Sequence, residues 1–127
     1  MTLSIDAWRW PTIAAIVALS YLSPLNVQAD VAVSQRDEVR YLLEFVRDSS
    51  CSVERNGKRY TGNDAYSHIM NKYDYFRDEI ESSEDFIELS ATKSTLSEKH
   101  YRVFCDGNSP KRTKDWLLEE LSEFRKP

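Results

Sequence analysis

The sequence predicts an α+β domain in which about four helices pack on a small antiparallel sheet, a hairpin plus one further strand, with one disulfide. Three observations carry this. Apolar residues recur at intervals of three and four in four separate stretches, the period of a helix with one buried face. Asn56-Gly57 stands between two short alternating runs, the strongest short-range signal for a hairpin. The chain has two cysteines, Cys51 and Cys105, each at a segment with strand alternation. No repeat, low-complexity run or linker divides residues 30–127, a length that suits one domain and not two.

Taken in order, residues 1–29 differ in kind from the rest of the chain. Thr12 to Leu25 is largely apolar, and Val27-Gln28-Ala29 places small residues where a signal peptidase reads. The apolar run is shorter than the roughly 20 residues that span a bilayer. The reading is a signal peptide cleaved between Ala29 and Asp30, which places the protein in the periplasm or outside the cell. Ser34 to Asp48 comes next as the first helix, with Val39, Leu42, Leu43, Phe45 and Val46 on its apolar face and Ser34 with Asp37 as a start signal. Cys51 to Tyr60 is the hairpin.

The second helix runs from Gly62 to Glu81. Thr61 and Asp64 cap it, and Ala65, Ile69, Tyr73, Phe76 and Ile80 form its stripe. Ser82 with Asp85 repeats the start signal for a shorter helix that ends near Ala91. Lys93 to Lys99 is rich in hydroxyl side chains that compete for backbone hydrogen bonds, so it is a loop. Tyr101 to Cys105 alternates as a strand, and its aromatic residues on both faces predict one face in the core and one aromatic face outside. Asp106 to Pro110 has turn composition, and a last helix runs from Thr113 to Arg125 with Trp116, Leu117, Leu121 and Phe124 on its buried side.

In an oxidising compartment Cys51 and Cys105 are expected to pair and tie two strands together, worth about 4 kcal/mol in the chain-entropy description. Removing residues 1–29 takes away one Asp and one Arg, so the formal net charge of −4 persists. An acidic chain of this kind argues against nucleic acid as a partner.

Four features bear on chemistry. One is aromatic: Tyr60, Tyr66, Tyr73, Tyr75, Phe76, Phe86, Tyr101, Phe104 and Trp116, with Arg55, Arg59 and Arg102 near some of them, suit stacking on a glycan or a peptide, although most are expected in the core. His68 and Lys72 lie one helical turn apart beside the apolar stripe, where they are able to bind an anion or activate a hydroxyl, although the plainer reading is a His68 hydrogen-bonded within the fold and a Lys72 that lays its stem over the core with its ammonium in water. Ser94, Thr95 and Ser97 stand between Lys93 and Lys99, and hydroxyls flanked by ammonium groups suit a carboxylate or a sugar. They lack the Ser-x-x-Lys and Gly-x-Ser-x-Gly spacings of known serine hydrolases, so backbone-ordering hydroxyls are the plainer reading. Seven acids between Asp74 and Glu88 do not follow the alternate-ligand order of a calcium loop, and a solvated helical face accounts for them. His68, His100 and two cysteines committed to a disulfide leave too few ligands for zinc. No metal and no cofactor is expected.

The order of Val53-Glu54-Arg55-Asn56-Gly57, His68, Lys72-Tyr73, Ser83-Glu84-Asp85-Phe86-Ile87, Ser94-Thr95-Leu96-Ser97, Lys99, Tyr101 and Trp116-Leu117-Leu118 resembles the YfeK-like family of small exported bacterial proteins. Members of that family often read Ser-Gly-Lys-Pro-Tyr where this chain has Ser97-Glu98-Lys99-His100-Tyr101. The resemblance implies a periplasmic setting and, since the family is a domain of unknown function, no activity. It leaves two readings of function. The first is a non-catalytic exported module that binds an envelope protein or a glycan through His68, Lys72, Ser94, Thr95, Ser97, Lys99 and Tyr101, with no membrane association once the signal is removed. The second is a small hydrolase that uses Ser94 or Ser97 with Lys72 or His68. The first is preferred because the second has neither a motif nor an oxyanion hole.

Overall fold

The computed structural model describes residues 30–127. The expected signal segment, with Ala29 at its end, lies outside them. The described chain runs α1 (Val33–Asp48), β1 (Ser52–Arg55), β2 (Lys58–Tyr60), α2 (Gly62–Phe76), a 3-10 turn (Arg77–Glu79), α3 (Ser83–Ser90), β3 (Arg102–Phe104), β4 (Lys111–Arg112) and α4 (Thr113–Phe124). This is an α+β fold with four helices and a four-stranded antiparallel sheet in the order β2-β1-β3-β4.

The helices lie where their apolar periodicity puts them. Thr61 Oγ1 accepts from the Asp64 N–H at 3.2 Å to cap α2, and Ser82 Oγ accepts from the Asp85 N–H at 3.0 Å to cap α3. The start signal read at Ser34 is not used. Here α1 begins one residue earlier, at Val33, after Ala32, which gives no side-chain cap. The helix expected to run to Glu81 stops at Phe76. Its end tightens into a 3-10 turn in which the Ile80 N–H reaches Arg77 O at 3.2 Å, a common way to satisfy terminal carbonyls.

Leu42, Val46, Ile69, Tyr73, Ile80, Phe86, Ile87, Leu117 and Leu121 meet in one core between the helices, which Val53 and Tyr101 join from the sheet side. On α4, Leu117 and Leu121 are buried, whereas Trp116 is half-buried on Phe45 and Phe124 is exposed beside Tyr41, so only part of the expected apolar side faces inward. Glu38 is buried on α1, where it accepts from Arg125 at 2.5 and 3.0 Å and from Ser83 Oγ at 2.9 Å, joining α1, α3 and the end of α4.

Asn56 (φ 51°) and Gly57 (φ 79°) take the left-handed conformations that a two-residue hairpin turn requires, and the register pairs Arg55 with Lys58. Cys51 and Cys105 are joined, and they lie just outside β1 and β3 rather than within them. Ser52 pairs with Phe104, so the antiparallel register carries the two cysteines opposite each other, with Cα atoms 4.4 Å apart. β4 was not expected. Lys111 and Arg112 pair with Val103 and Arg102 although neither is apolar, so no alternation marks them. The strand expected over Tyr101 to Cys105 is confined to Arg102–Phe104; Val103 and the preceding Tyr101 are buried, while Phe104 is half-buried under the Arg59 and Arg102 guanidiniums, 3.7 and 5.3 Å from its ring centre.

Candidate functional site

The register that buries Val53 also turns Arg55, two residues on, toward α2. On α2 the stripe that buries Ala65 and Ile69 leaves His68 and Lys72 half-buried on its flank, facing the hairpin and β3. Tyr101, at the entrance to β3, is 3% exposed and supplies the group on which these side chains converge. His68 Nε2 lies 3.0 Å and Lys72 Nζ 3.4 Å from Tyr101 Oη. Arg55 Nη1 is bonded to His68 Nδ1, and Arg55 Nη2 donates to Tyr60 Oη at 3.3 Å.

These contacts fix the proton positions. A guanidinium only donates, so His68 Nδ1 accepts and the imidazole proton sits on Nε2, from which it is given to Tyr101. Burial, with the positive charges of Arg55 and Lys72, pushes His68 down to about 4, so the ring is neutral near pH 7. Burial raises the Tyr101 phenol above its ordinary value. Tyr101 Oη therefore accepts from both His68 and Lys72, and its own hydrogen finds no acceptor among the described residues.

Lys72 donates to Lys93 O at 2.6 Å and its ammonium stands 5.2 Å from the Tyr101 ring centre. Burial, then the charges of Arg55 and Lys93, lowers its pKa. Among the described residues Arg55, Lys58 and Lys72 form no ion pair, although ten pairs occur elsewhere on the molecule.

The hydroxyl loop is fastened to the hairpin turn. Ser97 Oγ donates to Asn56 Oδ1 at 2.6 Å, and Asn56 Nδ2 donates to Ser94 Oγ at 3.5 Å. Ser94 Oγ also accepts from the Ser97 N–H at 3.3 Å, and Ser97 Oγ accepts from the Lys99 N–H at 3.3 Å. The loop closes through Ser94 N to Lys99 O at 3.0 Å and Glu98 N to Ser94 O at 2.9 Å. That closure holds Glu98 at φ 58°, a conformation that glycine takes at low cost.

A cleft of about 510 Å³ opens between these elements, lined by Arg55, Asn56, Lys58, Tyr60, His68, Lys72, Ser94, Thr95, Leu96 and Tyr101. Of the residues singled out in the sequence it gathers His68, Lys72, Ser94, Thr95 and Tyr101. Ser97 and Lys99 are not in its walls. Ser97 orders the loop, and Lys99 contributes backbone groups while its side chain is exposed. Asn56 and Lys58 were not among the candidates, and Arg55 and Tyr60 were candidates only within an aromatic and arginine surface suited to stacking on a glycan or peptide. Counting by two from Val53 across the Asn-Gly turn is the signal that finds Arg55 and Tyr60 on the same side of the hairpin.

Among the described residues no Asp or Glu lines this cleft, and exposed Glu98 stands 4.0 Å from Lys93 of the loop. Every cationic group in the wall is a donor, as is the Tyr101 hydroxyl. The arrangement suits an acceptor-rich anion. It does not form a nucleophile and base pair, because His68 and Lys72 bond to Tyr101, Arg55 and Lys93, and neither hydrogen-bonds a serine among the described residues. No group of three or more metal-ligating side chains occurs among the described residues.

A model of a family of unknown function, DUF5329, matches residues 33–125. No curated protein and no solved structure matches the chain.

Proposed function

We propose that this chain, which belongs to DUF5329, a family of unknown function, is an exported binding module that captures a carboxylate-bearing group of a protein or cell-envelope component. The observation that carries the reading is a set of cations without an anion in one cleft: among the described residues Arg55, Lys58 and Lys72 have no acid in the wall and form no ion pair, and a buried phenol has its hydrogen unclaimed. Leaving half-buried Arg55 and Lys72 without an anion is costly, exposed Lys58 adds positive charge at the mouth, and a bound carboxylate supplies the missing partner. Neutral His68 holds Arg55 on one side and Tyr101 on the other, so the donors are placed before a ligand arrives. Thr95 and exposed Leu96 form the rim from which a larger partner is touched.

Three features support an exported setting: the signal-like residues 1–29, the Cys51–Cys105 disulfide and the resemblance to YfeK-like proteins. Among the described residues no helix is long and apolar enough to cross a membrane.

The test is calorimetric titration at pH 7 with N-acetylglycine and with its amide. The acid is expected to bind and the amide to fail. Lys72→Met, which keeps the stem and removes the charge, is expected to weaken the acid by about tenfold, the worth of one charge-assisted hydrogen bond. Equal binding of acid and amide, or an unchanged affinity in Lys72→Met, defeats the proposal.

A further inference from the structure

Behind the cationic cleft lies a second cavity of about 320 Å³ that shares Arg55, Tyr60, His68 and Tyr101 with it as a common wall. Its remaining walls differ in character. Val53, Ala65 and Ile69 give it an apolar lining together with the two tyrosines, exposed Asp64 in the first turn of α2 also lines it, and Thr113 lines it from the start of α4. A cavity of about 150 Å³ with apolar walls takes up benzene, so the volume here holds a phenyl-sized group with room to spare. Thr113 adds an independent observation. Its backbone N–H donates to Tyr101 O at 3.0 Å, which sets it beside the shared wall, and its hydroxyl is buried with no hydrogen-bond partner among the described residues. A buried hydroxyl left unpaired is destabilising and uncommon, so an acceptor or donor that comes with a ligand is the natural completion.

Resting on the carboxylate reading above, we infer that the ligand is an amphiphilic acid. Its carboxylate lies between Arg55 and Lys72, its apolar group of about phenyl size enters the cavity of Val53, Ala65 and Ile69, and a polar atom on that group meets Thr113. A free small acid and the C-terminal residue of a peptide both present this chemistry.

Four probes separate the parts: acetate, 3-phenylpropionate, 3-phenylpropanamide and 3-(4-hydroxyphenyl)propionate, titrated by calorimetry into the protein at pH 7. Burial of the ring is expected to make 3-phenylpropionate at least about tenfold tighter than acetate. The amide is expected to be much weaker than its acid. The hydroxyl analogue is expected to gain a further threefold or so, and that gain is expected to vanish in Thr113→Val, an isosteric change of an unpaired hydroxyl that leaves folding intact. Ala65→Met, which fills the cavity, is expected to reduce 3-phenylpropionate to the level of acetate and leave acetate unchanged.

If acetate binds and the phenyl group adds nothing, the amphiphile falls and the carboxylate site stands. If the amide binds as tightly as the acid, the carboxylate reading falls and takes this inference with it. If no probe binds, both fall. An equal affinity of the hydroxyl analogue in wild type and Thr113→Val removes Thr113 from the site, even where Ala65→Met fails to fold. Where the inference holds, N-acetylphenylalanine binding tighter than 3-phenylpropionate identifies a peptide terminus as the source, and the reverse order a free acid.

Discussion

Held at about 4 against 6.5 for an ordinary histidine, His68 makes the stability of the fold depend on pH in a window set by one side chain. The perturbation is acidification from pH 7 to 4.5. The native ring resists protonation because it is buried between Arg55 and Lys72, whereas the unfolded ring accepts a proton near 6.5. The unfolded state then binds more protons, so the stabilisation is complete above pH 6.5 and is lost as pH falls toward 4. A difference of this size corresponds to a ceiling of about 3 kcal/mol, and the open side of the cleft screens it to roughly half, about 1.5 kcal/mol. Two assays read it. Imidazole NMR signals of the native protein are expected to titrate for His68 with a midpoint near 4, assigned by their loss in His68→Gln. Urea unfolding from pH 7 to 4.5 is expected to show a larger fall in stability than in His68→Gln, whose remaining fall comes from carboxylates such as Glu38 and Glu84 that the fold holds low. A native midpoint at or above 6, or the same pH slope in both proteins, refutes the placement of a neutral ring between two cations.

Other perturbations act on the same geometry. Replacing Cys51 and Cys105 by serine opens a loop with a sequence separation of 54, and is expected to cost about 4 kcal/mol in denaturant unfolding, with wild type under reductant matching the variant. Gly62→Ala places a Cβ 2.4 Å from Val46 O and 2.9 Å from Ser49 O, so the end of α1 and the start of α2 must separate, and a loss of about 1–3 kcal/mol is expected by the same assay. Glu98→Gly relieves a left-handed φ of 58° and gives up an exposed contact with Lys93 at 4.0 Å, so thermal unfolding is expected to show a gain of about 0.5–1 kcal/mol.

Local signals reveal the helices and the hairpin because each is written in neighbouring residues. Asn56-Gly57 sets its own turn, Thr61 and Ser82 cap by contacts three residues away, and the pairing of Cys51 with Cys105 was expected because the chain has two cysteines, both beside strands. β4 was not legible because Lys111 and Arg112 are held in place by β3, not by any property of their own. The site divides in the same way. His68 and Lys72 are one turn apart and legible as a pair, and Tyr101 stands beside the loop that carries Ser94 and Thr95. Arg55 reaches His68 only because the hairpin register and the packing of β1 near α2 bring residues 13 apart together. The unpaired hydroxyl of Thr113 and the cavity it lines depend on four elements meeting, and no window of sequence contains them.

The proposal that the cleft takes a carboxylate is tested most directly by titrating N-acetylglycine into isotope-labelled protein at pH 7 and following the backbone and side-chain NMR signals. Saturable shifts confined to Arg55, His68, Lys72, Ser94, Thr95 and Tyr101, absent with the amide, are the predicted result. Shifts scattered over the surface, the same footprint with the amide, or none at all would contradict it.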